Sequence, residues 1–430
     1  MKKSIARSGR KGRILTSRFD RTFSAGRDLP GSLRTRCCIT LLILLCAAAV
    51  LQGEDRDEAA RRFINYAPGG RFTVTEKYNL RKRIDGIYKG FVYREIRGIL
   101  SRDSAPGSYS GSFFLYQETT RNLINTAAPI DSEIPVRLTL SDEGFLLDKD
   151  FPPYPSYRNM PAFPEKMPLP GDSWEAPAEL VIFPEQNAPR IPVPLIVKYR
   201  YTGMDEYNGE PVHALEAEFA LRYRAEQDAS SPLRAASGTH AAVILVGAED
   251  GRLVLIRDTV SESYRMADGR QIAYEGFVLI WNNAVTALEK EEIEDDIVTR
   301  LEEEKIDDVS VSRTGRGVEL EVRDLHFLPD KAVLLPEEHE RIAAIAAALK
   351  KIEGRSFLVV GHTADIGSAE SQRKLSLMRA KAVVDLLSGH GIAADRFMYQ
   401  GKGGSEPIAP NDTEEHMAKN RRVEIIILED

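Results

Sequence analysis

Cysteine is nearly missing from this chain, and what there is sits in one place. The 430 residues hold three, Cys37, Cys38 and Cys46, all inside the apolar run Cys37 to Leu51. A chain cut after Gly53 would therefore have no thiol, which excludes both disulfides and thiolate chemistry, even in an oxidising compartment. Long apolar runs are also scarce. That one stretch falls short of the ~20 residues a membrane-spanning helix needs. The usual catalytic and metal signatures are absent as well: no His-Glu-x-x-His helix, no Gly-x-Ser-x-Gly elbow and no phosphate loop. "GSYSG" at Gly107 has Tyr109 where a nucleophile would stand, and Gly401, Gly403 and Gly404 read as turn glycines because no Lys-Ser/Thr helix comes after them. The seven histidines are scattered without ligand spacing. The chain reads as a non-enzyme without cofactor or metal, an unfamiliar hydrolase in its β-rich part being the remaining catalytic alternative.

Charge is distributed unevenly. Residues 1–36 carry eleven of the 58 Lys/Arg and only two acids, Asp20 and Asp28; residues 37–53 carry no charge. The chain beyond Gly53 holds 47 basic and 63 acidic residues, a surface that would repel phosphate backbones and so excludes nucleic acid as a partner. The segment 1–53 reads as a basic leader and secretory signal: Arg34 and Arg36, then the apolar run, then small residues, with cleavage after Ala49 or Gly53. The basic lead is long for a signal, so a true translation start near Leu33 is one explanation of it. Lipidation at Cys46 is the less favoured fate, since Leu45 is bulky where a small residue is wanted.

Residues 54–285 are written in strands and turns. "RFTVTEKY", "IYKGFVYREI", "YSGSFFLY", "IPVRLTL", "PLIVKYRYTG", "HALEAEFALRYR", "HAAVILVG", "RLVLIRDTV" and "GFVLIWNN" are rich in β-branched and aromatic residues in alternation. Asn208-Gly209, Asp250-Gly251 and Asp268-Gly269 between them predict hairpins. The result is an antiparallel meander, closed as a barrel or curled into a half-open bowl. Its charges, such as Lys77, Arg94 and Arg257, stand at mixed positions, unlike the apolar outer face of a membrane barrel. Residues 151–194 interrupt it with twelve of the chain's 23 prolines, as an irregular crossover or as the seam between two subdomains. Trp174 within it is expected to plug a core. The partner of this region is an envelope protein or a lipid, the latter including a hydrophobic ligand held in the bowl.

From Thr286 the texture changes. A charged helix with Leu288, Ile293, Ile297 and Leu301 in one stripe leads to a short hairpin, then to a helix with Ile342, Ile345 and Leu349 inward. Next come a strand "SFLVVGH", a helix stopped by Gly391 and a closing strand "RRVEIIIL". The order β-α-β-α-β with a leading hairpin predicts a two-layer α/β sandwich over residues 286–430.

"FLPDKAVLLPEE", "GHTADIGSAE", "LSLMRAKAVVDLL", "GIAADRFMYQGKGGSEPIAPN" and "NRRVEIII" come in the order of an OmpA-like C-terminal domain, which this region resembles. The family includes peptidoglycan-associated lipoproteins and the wall-anchoring part of flagellar motor stators. The resemblance implies non-covalent binding of peptidoglycan through its stem peptide, and a periplasmic place at the cell wall or outer membrane. In members that bind diaminopimelate, an aspartate directly after the loop threonine takes the ammonium and a helix arginine takes the distal carboxylate. The division of labour is chemically reasonable: a zwitterionic end needs one anion and one cation, and guanidinium grips carboxylate through two parallel N–H groups.

The resemblance assigns the arginine's place to Arg379, the loop threonine's to Thr363 and an acidic rim position to Asp330. It also matches the family's Asn-Arg-Arg to Asn420, Arg421 and Arg422. Gln372 stands where an asparagine is common. The departure is in the loop, where Ala364 occupies the aspartate's place and Asp365 comes one residue later. The implied site is therefore Asp365, Arg379, Asp330, Thr363, Gln372, Asn420 and Arg421. Taken without the resemblance, Arg379 could instead pair a neighbouring acid, Asp365 could cap the following helix, and an arginine at 421 or 422 could be a solvated or fold-internal charge.

Overall fold

The computed structural model describes residues 70–430 apart from 121–125, 142–144, 148–152, 165, 186–187, 226–230, 324 and 329–330. The leader, its cleavage and the fate of Cys46 lie outside the described residues.

The β-rich part is one curved antiparallel sheet. Its strands are β1 (Arg71–Ile84), β2 (Ile87–Arg102), β3 (Ser108–Tyr116), β4 (Ala128–Thr139), β5 (Tyr157–Arg158) and β6 (Ser173–Ile182). They continue with β7 (Ile191–Tyr207), β8 (Glu210–Arg224), β9 (Leu233–Gly247), β10 (Leu253–Met266) and β11 (Gln271–Ala284). The order across the sheet is β4-β3-β2-β1-β11-β10-β9-β8-β7-β6-β5. No pairing joins its two ends among the described residues, so the meander is a bowl rather than a barrel. Alternation decides which face is inside: in β8, Leu215, Ala217, Phe219 and Leu221 are buried while Glu216, Glu218 and Arg222 are exposed. Asn208-Gly209 takes positive φ at both residues, 53° and 85°, the conformation a two-residue hairpin between right-twisted strands requires.

The proline-rich stretch is more regular than its composition suggests. It contains β6, which pairs with β7 along its full length. Pro177, Pro192 and Pro194 fit because β6 meets β5 only at Glu179 and Leu180, and β7 meets β8 only from Lys198 onward. The missing N–H groups therefore fall where one side of the strand carries no ladder. Strands from both sides of this stretch share one sheet and one core, running from Phe72 and Leu100 through Tyr199 and Leu221 to Ile280. Trp174 packs against that core: its indole stacks on Tyr199 at 5.4 Å, and Nε1 donates to the Ala162 carbonyl at 2.9 Å.

The remaining chain forms α1 (Lys290–Glu303), β12 (Val309–Arg313), β13 (Gly317–Arg323), α2 (Glu338–Leu349), β14 (Phe357–His362) and α3 (Ala369–Gly389). It ends with β15 (Phe397–Gly403), α4 (Glu414–Asn420) and β16 (Arg422–Leu428). The strand order is β12-β13-β16-β14-β15. Two elements depart from the sequence expectation. Where the sequence reading has only turn glycines, at Gly401 and Gly403, β15 is a strand parallel to β14, and α4 is an extra helix. Helices α1, α2 and α3 cover one face of this sheet through Ile297, Leu301, Ile342, Ile345, Val383 and Leu387.

The other face is covered by the bowl. Leu358, Val360, Met398, Ile426 and Leu428 pack on Phe114, Tyr116 and Ile130 in one buried cluster. Backbone joins them too, since β15 pairs in parallel with the start of β4 at Met398–Ala128 and Tyr399–Pro129. Ion pairs rim the seam: Arg71 and Lys290 both meet Glu429, and Arg316 reaches Glu133 at 3.6 Å. None of the described helices is long and apolar enough to cross a membrane.

Candidate functional site

Two glycines bring α3 unusually near its sheet. A Cβ at Gly361 would sit 2.2 Å from the Ser376 carbonyl oxygen, and one at Gly401 2.3 Å from the Leu377 nitrogen. Only bare backbone permits that approach. It lets the Ser376 hydroxyl accept a hydrogen bond from the Gly403 N–H at 2.9 Å, fastening the helix to the end of β15. The helix begins at Ser368, whose hydroxyl accepts from the Ser371 N–H at 3.2 Å. These contacts fix the loop 363–368 against residues 403–411.

Within that loop, Ala364 is buried at 6% exposure, whereas Asp365 is exposed. The one-residue displacement thus leaves the carboxylate on the exposed side of the loop and a methyl group buried in its place. Gln372 Nε2 donates to Asp365 Oδ1 at 3.0 Å and to the Gly367 carbonyl at 3.2 Å, while its Oε1 accepts from the Gly404 N–H at 3.1 Å. Asn411 Oδ1 accepts from the Asp365 N–H at 3.1 Å and from Asn420 Nδ2 at 3.0 Å. Asn420 itself is buried and bonds the backbone of Ile408 and Ala409. Asp365, Gln372, Asn411 and Asn420 therefore form one connected network. Asn411 was not among the residues expected from sequence; in "APND" it looks like any turn asparagine.

Arg379 stands seven residues after Gln372, two turns along the same helical flank and about 10 Å away by rise. Its guanidinium lies over the Phe327 ring at 4.8 Å, a stacking geometry suited to a planar cation. Asp330, on the same connection as Phe327, lies outside the described residues. Thr363 is buried, and its N–H donates to the Gly403 carbonyl at 2.9 Å. Arg421 turns back along α4 to pair with Glu414. Around this flank Ile366 is 64% and Ile408 50% exposed, so the solvent face of the site is partly apolar.

Behind the loop lies a charge cluster in which Arg422 is the fold-internal charge that the sequence allowed at 421 or 422, while its partner Glu424 was not singled out. Arg422 is buried and donates to Glu424 Oε1 through Nη2 at 2.7 Å and Nε at 3.0 Å. His362 Nε2 approaches the same oxygen at 3.2 Å. Burial alone would raise the Glu424 pKa, but His362 and Arg422 outweigh it and hold it at about 2.

The bowl carries a second buried polar group. Tyr157 Oη donates to Asp258 Oδ2 at 2.8 Å, and His240 Nδ1 approaches that oxygen at 2.7 Å. Burial pulls the His240 pKa down, yet the hydrogen bonds to Asp258 and Glu262 prevail and push it up to about 9. Ser156 and Tyr157, from the proline-rich stretch, seal the inside, with the Ser156 N–H donating to buried Glu76 at 2.8 Å. The adjoining apolar cavity, lined by Phe72, Leu100, Phe113, Ile256 and Ile280, measures about 50 Å³. Ligand pockets are roughly 300–1,000 Å³, and this cavity is well below that size.

Comparison with known proteins bears on the C-terminal third. Residues 326–421 match the OmpA family. The probable lipoprotein YiaD of Escherichia coli (strain K12) is 35% identical over 120 residues, 28% of this chain and 55% of that protein. The peptidoglycan-binding protein ArfA of Mycobacterium tuberculosis (strain ATCC 25618 / H37Rv) is 40% identical over 98 residues, 23% of this chain and 30% of its own. Outer membrane protein A of Bordetella avium is 39% identical over 105 residues, 24% and 54%. The chain spans about half the length of these relatives or less. Five ordered motifs, the glycine-seated helix and the family match agree on one conclusion: residues 326–421 are an OmpA-family domain.

Proposed function

We propose that this chain is a cell-envelope anchor whose OmpA-family domain binds peptidoglycan non-covalently through the stem peptide. Arg379 takes a stem-peptide carboxylate, and Asp365, with Asp330 at the rim, takes an ammonium group. Gln372 and Asn420 hold the loop that presents Asp365, and Thr363 and Arg421 shape its two sides. The observation that carries this reading is the OmpA-family match over 326–421, which includes both charged positions; ArfA, named as peptidoglycan-binding, supports it. The same match supports a periplasmic location at the wall or outer membrane. Co-sedimentation with purified peptidoglycan tests the reading. Arg379→Ala should lose at least tenfold in affinity, on the order of the 1.5–3 kcal/mol of a hydrogen bond to a charged group. Equal sedimentation of variant and parent would remove Arg379 from the site.

A second reading is favoured by one observation, the buried Ala364 in the family aspartate's place. Here the domain keeps the fold but no longer binds the wall, and serves as an assembly module while the bowl meets a protein or lipid. Absence of any sedimentation by the parent chain would favour it.

A further inference from the structure

The β1–β2 hairpin ends in a cluster the fold leaves uncovered. Ile87 is 62%, Tyr88 51% and Phe91 44% exposed. These side chains are grouped: Tyr88 meets Phe91 edge-on at 6.3 Å, and Phe91 stacks on Tyr93 at 6.1 Å. Arg83 pairs with Tyr88 and Arg81 with Phe91. Directly paired residues share a face, so both arginines stand beside the rings on the convex side. The row through Arg83 continues across Ala273, Ser263 and Ser237 to Arg222. Arg224 and Arg265 lie two residues along on the same face. Arg83 is paired with Glu275 at 2.8 Å, while Arg81, Lys89, Arg222, Arg224 and Arg265 are exposed.

We infer that this end of the bowl docks on an anionic lipid bilayer, the hairpin apex entering the headgroup layer. Three observations favour a bilayer. Aromatic and aliphatic tips flanked by basic side chains suit the interface between headgroups and acyl chains. The basic character is local: on this face of the hairpin Arg81, Arg83 and Lys89 outnumber Asp85 and Glu275, with Lys82 turned inward to Glu185, in a chain whose residues after Gly53 are acidic overall. Apex and arginine row also span several strands of one convex face, which a broad anionic surface can meet at once. Strand β1 carries the apex away from the OmpA-family domain. Arg71, at its start, pairs with Glu429, and Ile84 lies thirteen residues further, about 43 Å at 3.3 Å per residue.

The basic leader would itself bind anionic vesicles, so the readout must report from the apex. In the full chain, Tyr88→Trp is introduced and its fluorescence compared with the parent, whose Trp174 and Trp281 give the background. With brominated phosphatidylglycerol vesicles, the added fluorescence should shift to the blue and be quenched; brominated phosphatidylcholine should leave it unchanged. Adding Arg81→Glu and Lys89→Glu should raise the lipid concentration for half-quenching at least about tenfold. No quenching with either lipid, equal quenching with both, or no response to the charge reversal would each overturn the proposal. So would binding of the apex to a soluble oligonucleotide in the absence of lipid quenching.

Discussion

The two buried histidine clusters make opposite demands on pH. Glu424 has its folded pKa depressed to about 2, so its contribution is present above the unfolded value near 4.5 and lost as pH falls from 4.5 to 2. His240 is raised to about 9. Its contribution is complete below the unfolded value near 6.5 and lost as pH rises from 6.5 to 9. Stability against denaturant should therefore decline at both ends. Glu424→Gln should flatten the acid limb and His240→Gln the alkaline limb, each lowering stability between them. A parent-like limb in either variant would show that the residue does not govern it. Gly361 makes a separate demand, for space. Gly361→Ala drives a methyl group into the Ser376 carbonyl and should cost about 1–3 kcal/mol, measured as a lower denaturation midpoint.

At the scale of elements, the cap of α3 links local structure to the site. Ser368→Ala removes the side-chain acceptor for the Ser371 N–H. It should cost about 1 kcal/mol and loosen the loop holding Asp365, so peptidoglycan binding should fall even though Ser368 touches no proposed ligand. An unchanged affinity would mean that the loop is held by Gln372 and Asn411 alone. Elements with a local signature were legible in the sequence: Asn208-Gly209 marks a hairpin and Gly391, at φ 94°, ends α3. Those whose reason is distant were not. Proline tolerance in β6 depends on which side lacks a neighbour, and composition carries no record of that. β15 was obscured because Gly401 and Gly403 resemble turn residues, although Gly401 is bare to admit a helix. In the candidate site, the resemblance named Arg379 and Asn420, but the bond from Asn420 to Asn411 depends on a loop that packs beside them only in the fold. The outward turn of Asp365 was not legible either, because a one-residue displacement fixes a side chain's direction only once the loop is built.

For the whole molecule, the decisive feature is that the sheet faces of bowl and OmpA-family domain share a buried cluster and a strand pairing. Burial of Leu358, Val360, Met398 and Ile426 against Phe114, Tyr116 and Ile130 couples their stabilities, since exposing one domain's face would expose the other's. The C-terminal residues fasten this seam: Glu429 is 4% exposed and meets Arg71 of β1, while Asp430 Oδ2 lies 3.7 Å from Arg97 Nη1 of β2. Glu429→Ala would leave half-buried Arg71 beside Lys290 without their shared anion, which should weaken this contact. The loss falls on the seam rather than on either core. Calorimetry of the parent should therefore give one cooperative transition, and Glu429→Ala should split it in two, with protease cutting newly admitted at 285–289. If the variant keeps a single transition at an unchanged temperature, the apolar cluster alone holds the domains together, with the pairing of β4 and β15 beside it.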